Sequence, residues 1–151
     1  MKLKIIIVGK PDEQVASLIA HYSKRIGYYA QFKIVSVKQG KHLPPEATIE
    51  LESKRLLEKV EAKDFIVALS EEGRKLDSIE FAKKLSNIEL DARNVVFLIG
   101  GAYGLSVSLK SRADLILSLS KMTFQHDIAL TVLSEQVYRA MTILRGEEYH
   151  K

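Results

Sequence analysis

Three short segments of the 151-residue chain gather the residue types that a binding or transfer site needs. In Ile99-Gly100-Gly101-Ala102-Tyr103-Gly104-Leu105, glycines recur closely just after an apolar run. Missing side chains there let the backbone approach a flat ligand or adopt a positive φ. A tight turn into a short helix beginning near Ser106 satisfies the same spacing. Leu69-Ser70-Glu71-Glu72-Gly73 and Leu119-Ser120-Lys121-Met122-Thr123-Phe124-Gln125-His126 also follow apolar runs. The sequence closes on Glu147-Glu148-Tyr149-His150-Lys151, which offers a ring, a proton acceptor and a cation. Such termini commonly fray, yet these residues form a usable cluster if the last helix returns them to the strand ends.

Other chemistries find little support. Gly-Gly-x-x-Gly is not the spacing of a dinucleotide fingerprint, and no Gly-Lys-Ser/Thr follows to make a P-loop. Gly9-Lys10 reads as a turn with an exposed lysine. His21, His42, His126 and His150 show no metal-ligand spacing, so no metal is expected. With no cysteine, thiol nucleophiles, thiolate sites and disulfides are excluded. A hydrolase built on Ser120 or Ser70 with His126 lacks an acid partner, and no G-x-S-x-G elbow exists.

The elements that must carry these segments alternate. Ile5-Ile6-Ile7-Val8, Phe65-Ile66-Val67-Ala68-Leu69 and Val95-Val96-Phe97-Leu98-Ile99 are continuous apolar runs, as expected of strands covered on both faces. Phe32 to Val37 and Leu115 to Leu119 are shorter strand candidates. Val15, Leu18, Ile19, Tyr22 and Ile26 recur at helical spacing, with Pro11 and Asp12 at the start and Gly27 at the end. Glu46 to Val60 reads as a charged helix with a narrow stripe of Ile49, Leu56, Leu57 and Val60. Asp77 opens a third helix, where Glu80 completes a capping box and Ile79, Phe81, Leu85 and Ile88 face inward. Asp127 to Leu144 is the last helix. The expected class is α/β with a parallel sheet in one domain, residues 1–151. In such sheets ligands sit outside the carboxyl ends of the strands, where all three loop segments fall.

Composition adds boundaries. At 46% apolar and 28% charged residues, the chain can bury a core without staples. A net charge of +4 permits a nucleic-acid partner without demanding one, because the basic residues are scattered. No membrane-length run or leader is visible, so a soluble cytoplasmic protein is expected.

Several of these residues, taken in order, resemble one family. They are Phe97-Leu98-Ile99-Gly100-Gly101 with Gly104-Leu105-Ser106, and Leu117-Ser118-Leu119-Ser120-Lys121-Met122-Thr123 with His126. Glu135-Gln136-Val137-Tyr138-Arg139-Ala140 and Tyr149-His150-Lys151 complete the set. The chain is similar over its whole length to the RlmH family, the small single-domain branch of the SPOUT methyltransferases. That resemblance implies a trefoil-knotted α/β fold, an exception to unknotted topology, and a homodimer. It also implies S-adenosylmethionine as cofactor, and methylation at N3 of a pseudouridine in 23S ribosomal RNA. The modified stem-loop is the one that meets the decoding region of the ribosome. On the family pattern Leu69, Gly101, Ser120, Lys121, Met122, Thr123, Phe124 and Gln125 line the cofactor pocket.

The chemistry agrees with the resemblance. Methyl transfer is an in-line displacement, so alignment is the main task, and the imide nitrogen must lose a proton. His150 is the candidate general base. Tyr149 can stack on or orient the base, while Arg139 and Lys151 can hold phosphate. Arg139 can equally pair with Glu135 one turn earlier, and His126 reads as a loop-ordering residue. A dimer in which one subunit's tail completes the other's site would let so small a chain hold both cofactor and RNA. The family's arginine four residues after His126 is replaced by Leu130, which keeps open a non-catalytic adenine-nucleotide or rRNA-binding module.

Overall fold

The computed structural model describes residues 1–91 and 93–151. Five strands and five helices alternate among them: β1 Lys2–Val8, α1 Glu13–Ile26, β2 Gln31–Val37, α2 Pro45–Leu57, β3 Asp64–Lys75, α3 Ser78–Leu90, β4 Asn94–Ile99, α4 Val107–Arg112, β5 Leu115–Ser118 and α5 His126–Leu144. The strands form one parallel sheet in the order β2-β1-β4-β3-β5.

Both faces of this sheet are covered, which explains the unbroken apolar runs. Side chains alternate across a strand: Leu3, Ile5 and Ile7 of β1 join the core under α1, α3 and α5. Ile6 and Val8 join the opposite core, with Leu56 of α2 and Leu109 of α4. In β4, Val95, Phe97 and Ile99 serve the first core, and Val96 and Leu98 the second. The connections β1 to β2 and β3 to β4 step one way, with α1 and α3 on one face. The connections β2 to β3 and β4 to β5 step back, with α2 and α4 on the other. Reversing direction and face together preserves one hand, as parallel crossovers require. After β5, α5 returns to the first face and packs against both α1 and α3.

Helix ends follow the local signals. Asp12 caps α1 by accepting from the Gln14 N–H, and Asp77 with Glu80 forms the expected capping box of α3. Ser106 caps α4 through the Leu109 N–H. Three expectations need correcting. Leu18 and Ile79 were placed on inward stripes but lie exposed, because each sits off the wheel position shared by its buried neighbours. The helix expected over Glu46 to Val60 ends at Leu57, and Val60 falls in the following turn. Its buried face is also not the apolar stripe: Thr48, Glu52 and Ser53 are buried beside Leu56, each bonded to a neighbouring loop or turn. Finally, Leu69 to Gly73 is more than a loop. Leu69 and Arg74 both pair with Leu117, so residues 70–73 loop out of a continuing strand. A Cβ on Gly73 would lie 2.6 Å from the Ile116 carbonyl oxygen, so that return needs glycine.

Candidate active site

The carboxyl ends of β3, β4 and β5 lie side by side, so the loops that leave them enclose a common cavity of about 590 Å³. Its floor is the 99–104 segment. Gly104 has φ +83° and donates its N–H to the Gly101 carbonyl at 3.1 Å, closing a tight turn. A Cβ on Gly100 would meet the Gly104 carbonyl at 2.8 Å. The glycine segment is thus a tight turn into α4, with a positive φ at Gly104, and it also lines a cavity.

The opposite wall is the β5–α5 loop. The Ser118 hydroxyl donates to the Ser120 carbonyl at 2.9 Å, and Ser120 Oγ accepts from the Met122 N–H at 3.0 Å. Ser70 Oγ likewise accepts from the Glu72 N–H. Both hydroxyls thus order their own turns, each accepting the N–H two residues on. Of the residues expected at the pocket, Leu69, Gly101, Ser120, Met122, Thr123, Phe124 and Gln125 line the cavity. Lys121 does not; it is exposed outside the lining. Met122 is 77% exposed, so it stands at the mouth and gives little wall.

His126 opens α5 at the cavity edge, with Nε2 3.2 Å from Asp127 Oδ1. Asp127 Oδ2 accepts the Asp12 N–H at 2.9 Å. Asp127 thus ties the start of α5 to the start of α1, while its Oδ1 is buried with no hydrogen-bond partner. Leu130, at the position of the family's arginine, is fully buried in the core. It cannot stand in for a polar contact.

The terminal cluster forms, but elsewhere. Glu135 Oε1 accepts from Arg139 Nη2 at 2.6 Å, from Arg139 Nε at 3.1 Å and from the Tyr149 hydroxyl at 3.0 Å. The Arg139 guanidinium lies 4.7 Å from the Tyr149 ring centre, and that ring packs edge-on against Tyr138. Arg139 Nη1 stands 3.3 Å from His150 Nδ1. Arginine only donates, so Nδ1 accepts and the neutral imidazole carries its proton on Nε2. Burial and the bond to Glu135 push the Tyr149 phenol up to about 12, so it stays a donor at neutral pH. A second tether, from the Tyr29 hydroxyl to Glu147 at 2.7 Å, holds the preceding residues. The terminus is packed, not frayed.

The structure thus joins Arg139, Tyr149 and His150 as one group and the loop residues as another, and it separates the groups. Fourteen residues at about 1.5 Å each put Arg139 roughly 21 Å along α5 from Gln125. The last helix starts at the strand ends and leads away from them. One buried residue beside the site was missed in the sequence: Glu52 of α2, whose carboxylate lies directly behind Gly101. Nothing in its local pattern distinguishes it from the helix's solvated glutamates.

A depression of similar volume, about 580 Å³, lies between α2 and α4, but charged side chains such as Glu50, Lys54 and Arg112 edge it and no strand end reaches it. Among the described residues no group of acidic and histidine side chains is placed to hold a metal. Nor is any helix there long and apolar enough to cross a membrane.

Comparison with known proteins places the chain among methyltransferases by sequence. A curated ribosomal RNA large subunit methyltransferase H from Streptococcus pneumoniae is 39% identical over 160 aligned positions, covering all of both chains. Solved structures share the fold. A probable methylase family protein from Haemophilus influenzae superposes with TM-score 0.57 at 12% identity, over 99% of this chain and 70% of that one. A probable methyltransferase from Bordetella pertussis gives 0.56 at 17%, over 92% and 95%. The family model described as "Predicted SPOUT methyltransferase" matches residues 1–150, and the chain belongs to that family.

Proposed function

We propose that this protein is a ribosomal RNA methyltransferase that takes its methyl group from S-adenosylmethionine and places it on N3 of a pseudouridine in 23S rRNA. The observation that carries the reading is the cavity at three adjacent strand ends, in a chain matched end to end by a ribosomal RNA large subunit methyltransferase H. The cavity fits the cofactor. Its glycine floor exposes main chain able to give N–H and C=O groups to an adenine ring. Leu69, Leu117 and Leu119 supply apolar surface for the ring faces. When bound, the cofactor supplies an electrophilic methyl on a sulfonium.

The chain's own task is then to align the nucleophile and accept one proton. Alignment alone can contribute roughly 7–11 kcal/mol. His150 is the proton acceptor in this proposal, and its present contact states a condition. While Arg139 donates to Nδ1, the imidazole has no free lone pair. An RNA phosphate that draws Arg139 away frees Nδ1, coupling substrate engagement to base activation. Tyr149, held as a donor, orients the base, and Lys151 offers a further phosphate contact.

Separation of the two groups within one chain supports a homodimer in which one subunit's tail serves its partner's cavity. The exposed Ile128 and half-buried Val132 on α5 give that contact apolar surface. The family's knotted threading belongs to the same proposal, supported by β5 emerging beyond β3 and α5 returning between α1 and α3. The site of action is the bacterial cytoplasm, where ribosomes are. Leu130 favours one second reading, a module that binds without turnover.

The test pairs calorimetry with S-adenosylmethionine and mass spectrometry of rRNA incubated with the protein. Binding plus a single added methyl on a pseudouridine is the expected result. Absence of binding at tens of micromolar would favour the non-catalytic module, as would binding without methylation.

A further inference from the structure

Glu52 occupies an unusual position. It is 1% exposed, and a buried carboxylate is costly unless its oxygens are bonded. Oε2 accepts the Gly40 N–H at 2.9 Å, whereas Oε1 is buried with no partner. That free oxygen lies 2.7 Å from where a Cβ on residue 101 would stand, with the carboxyl carbon at 3.3 Å. Gly101 is not among the glycines with positive φ. Its backbone therefore tolerates alanine, and what requires glycine there is Glu52. The carboxylate cannot swing clear, because burial and the Gly40 bond fix it. The next residue secures the far end of the same segment: Ser53 Oγ accepts the Ser106 N–H at 2.9 Å. The buried polar face of α2 thus backs the glycine floor, with Glu52 packed behind Gly101 and Ser53 bonded just past the floor at Ser106.

We propose that Glu52 is a positioning residue for the cofactor floor: its carboxylate, anchored through Gly40, is the abutment against which Gly101 rests. The inference rests on the cavity being the cofactor site. It gives the close approach at Gly101 a second meaning. The absent side chain makes room for a group behind the floor, not only for a ligand above it.

The experiment is a double-mutant cycle on the full chain, reading S-adenosylmethionine affinity by calorimetry and folding by circular dichroism. Gly101→Ala forces a collision with Glu52 and should weaken binding roughly tenfold or more, as overpacking does. Glu52→Ala removes the obstacle. The double variant should therefore bind more tightly than Gly101→Ala alone, a rescue that two independent structural losses would not produce. Where Glu52→Ala does not fold, Glu52→Asp, one methylene shorter, serves in the same cycle. An equal Gly101→Ala penalty with and without Glu52 overturns the abutment while leaving the cavity assignment intact. A Gly101→Ala protein that binds like wild type also overturns the abutment, whereas a wild-type chain that fails to bind overturns the cavity assignment.

Discussion

A mixture of two inactive variants should regain activity if the tail acts across a dimer. The first lacks Tyr149 to Lys151; the second carries Gly101→Val, whose side chain meets Glu52 and the floor. Arg139 lies about 21 Å along α5 from the cavity edge, whereas methyl transfer needs reacting atoms roughly 3–3.5 Å apart. A tail acting on its own chain's cavity would have to leave Glu135, Tyr138 and Arg139 and cross several helical turns. Each variant alone should therefore be inactive, the truncated one while still binding S-adenosylmethionine. After unfolding and refolding together in equal amounts, half the dimers are mixed, and one site in each pairs an intact cavity with an intact tail. Recovered activity should approach about one quarter of wild type, by the statistics of symmetric pairing. The assay is transfer of labelled methyl to ribosomes, with mixing checked by mass spectrometry of the intact dimers. Proven mixed dimers with no activity would refute action in trans, and full activity of the truncated protein alone would remove the tail from catalysis.

Three further outcomes follow from the packing. Leu130→Arg, which restores the family's residue, buries a charge at a fully enclosed site. It should cost about 3 kcal/mol or more, lowering Tm by roughly 6–12 °C for a chain of this size; an unchanged Tm would show that α5 can turn this position outward. Asp77→Ala removes one half of the α3 capping box and should cost about 1 kcal/mol, read by urea unfolding; no change in midpoint would mean that Glu80 caps alone. Tyr29 and Tyr149 are each held up to about 12 from an ordinary 10.0, Tyr29 mainly by its bond to Glu147 and Tyr149 mainly by burial. A phenol raised on folding contributes stability that is complete below pH 10 and is lost as pH climbs through 12. The terminal tether should therefore release in that window, seen as late tyrosinate absorbance that Tyr149→Phe reduces; ionisation of both rings near pH 10 would contradict the packing.

The fold was legible where burial and periodicity agree. Runs such as Ile5 to Val8 and Val95 to Ile99 are apolar at every position because helices cover both faces, and no polar residue there confuses the pattern. The α3 cap was legible because Asp77 and Glu80 act within three residues of each other. What failed was long-range. Periodicity alone could not show that α2 turns a polar face inward, since Glu52 bonds the Gly40 loop and Ser53 bonds Ser106, far along the chain. Nor could it show that β3 resumes at Arg74 after looping out, because that depends on Leu117 of β5.

The candidate site shows the same limit in its chemistry. Glycine spacing pointed to the floor, but spacing says nothing about which side of a backbone is crowded, and at Gly101 the crowding comes from below. Tyr, His and Lys at the terminus pointed to proton transfer and phosphate, but residue type says nothing about who holds a lone pair. Here Arg139 holds it. On the proposed function, an imidazole masked by a guanidinium, on a tail set apart from its own cavity, is an incomplete catalyst by construction. In that proposal it becomes complete only when an anion claims the arginine and a neighbouring subunit presents the methyl donor, so a single chain in solution would have no means of deprotonating the wrong base.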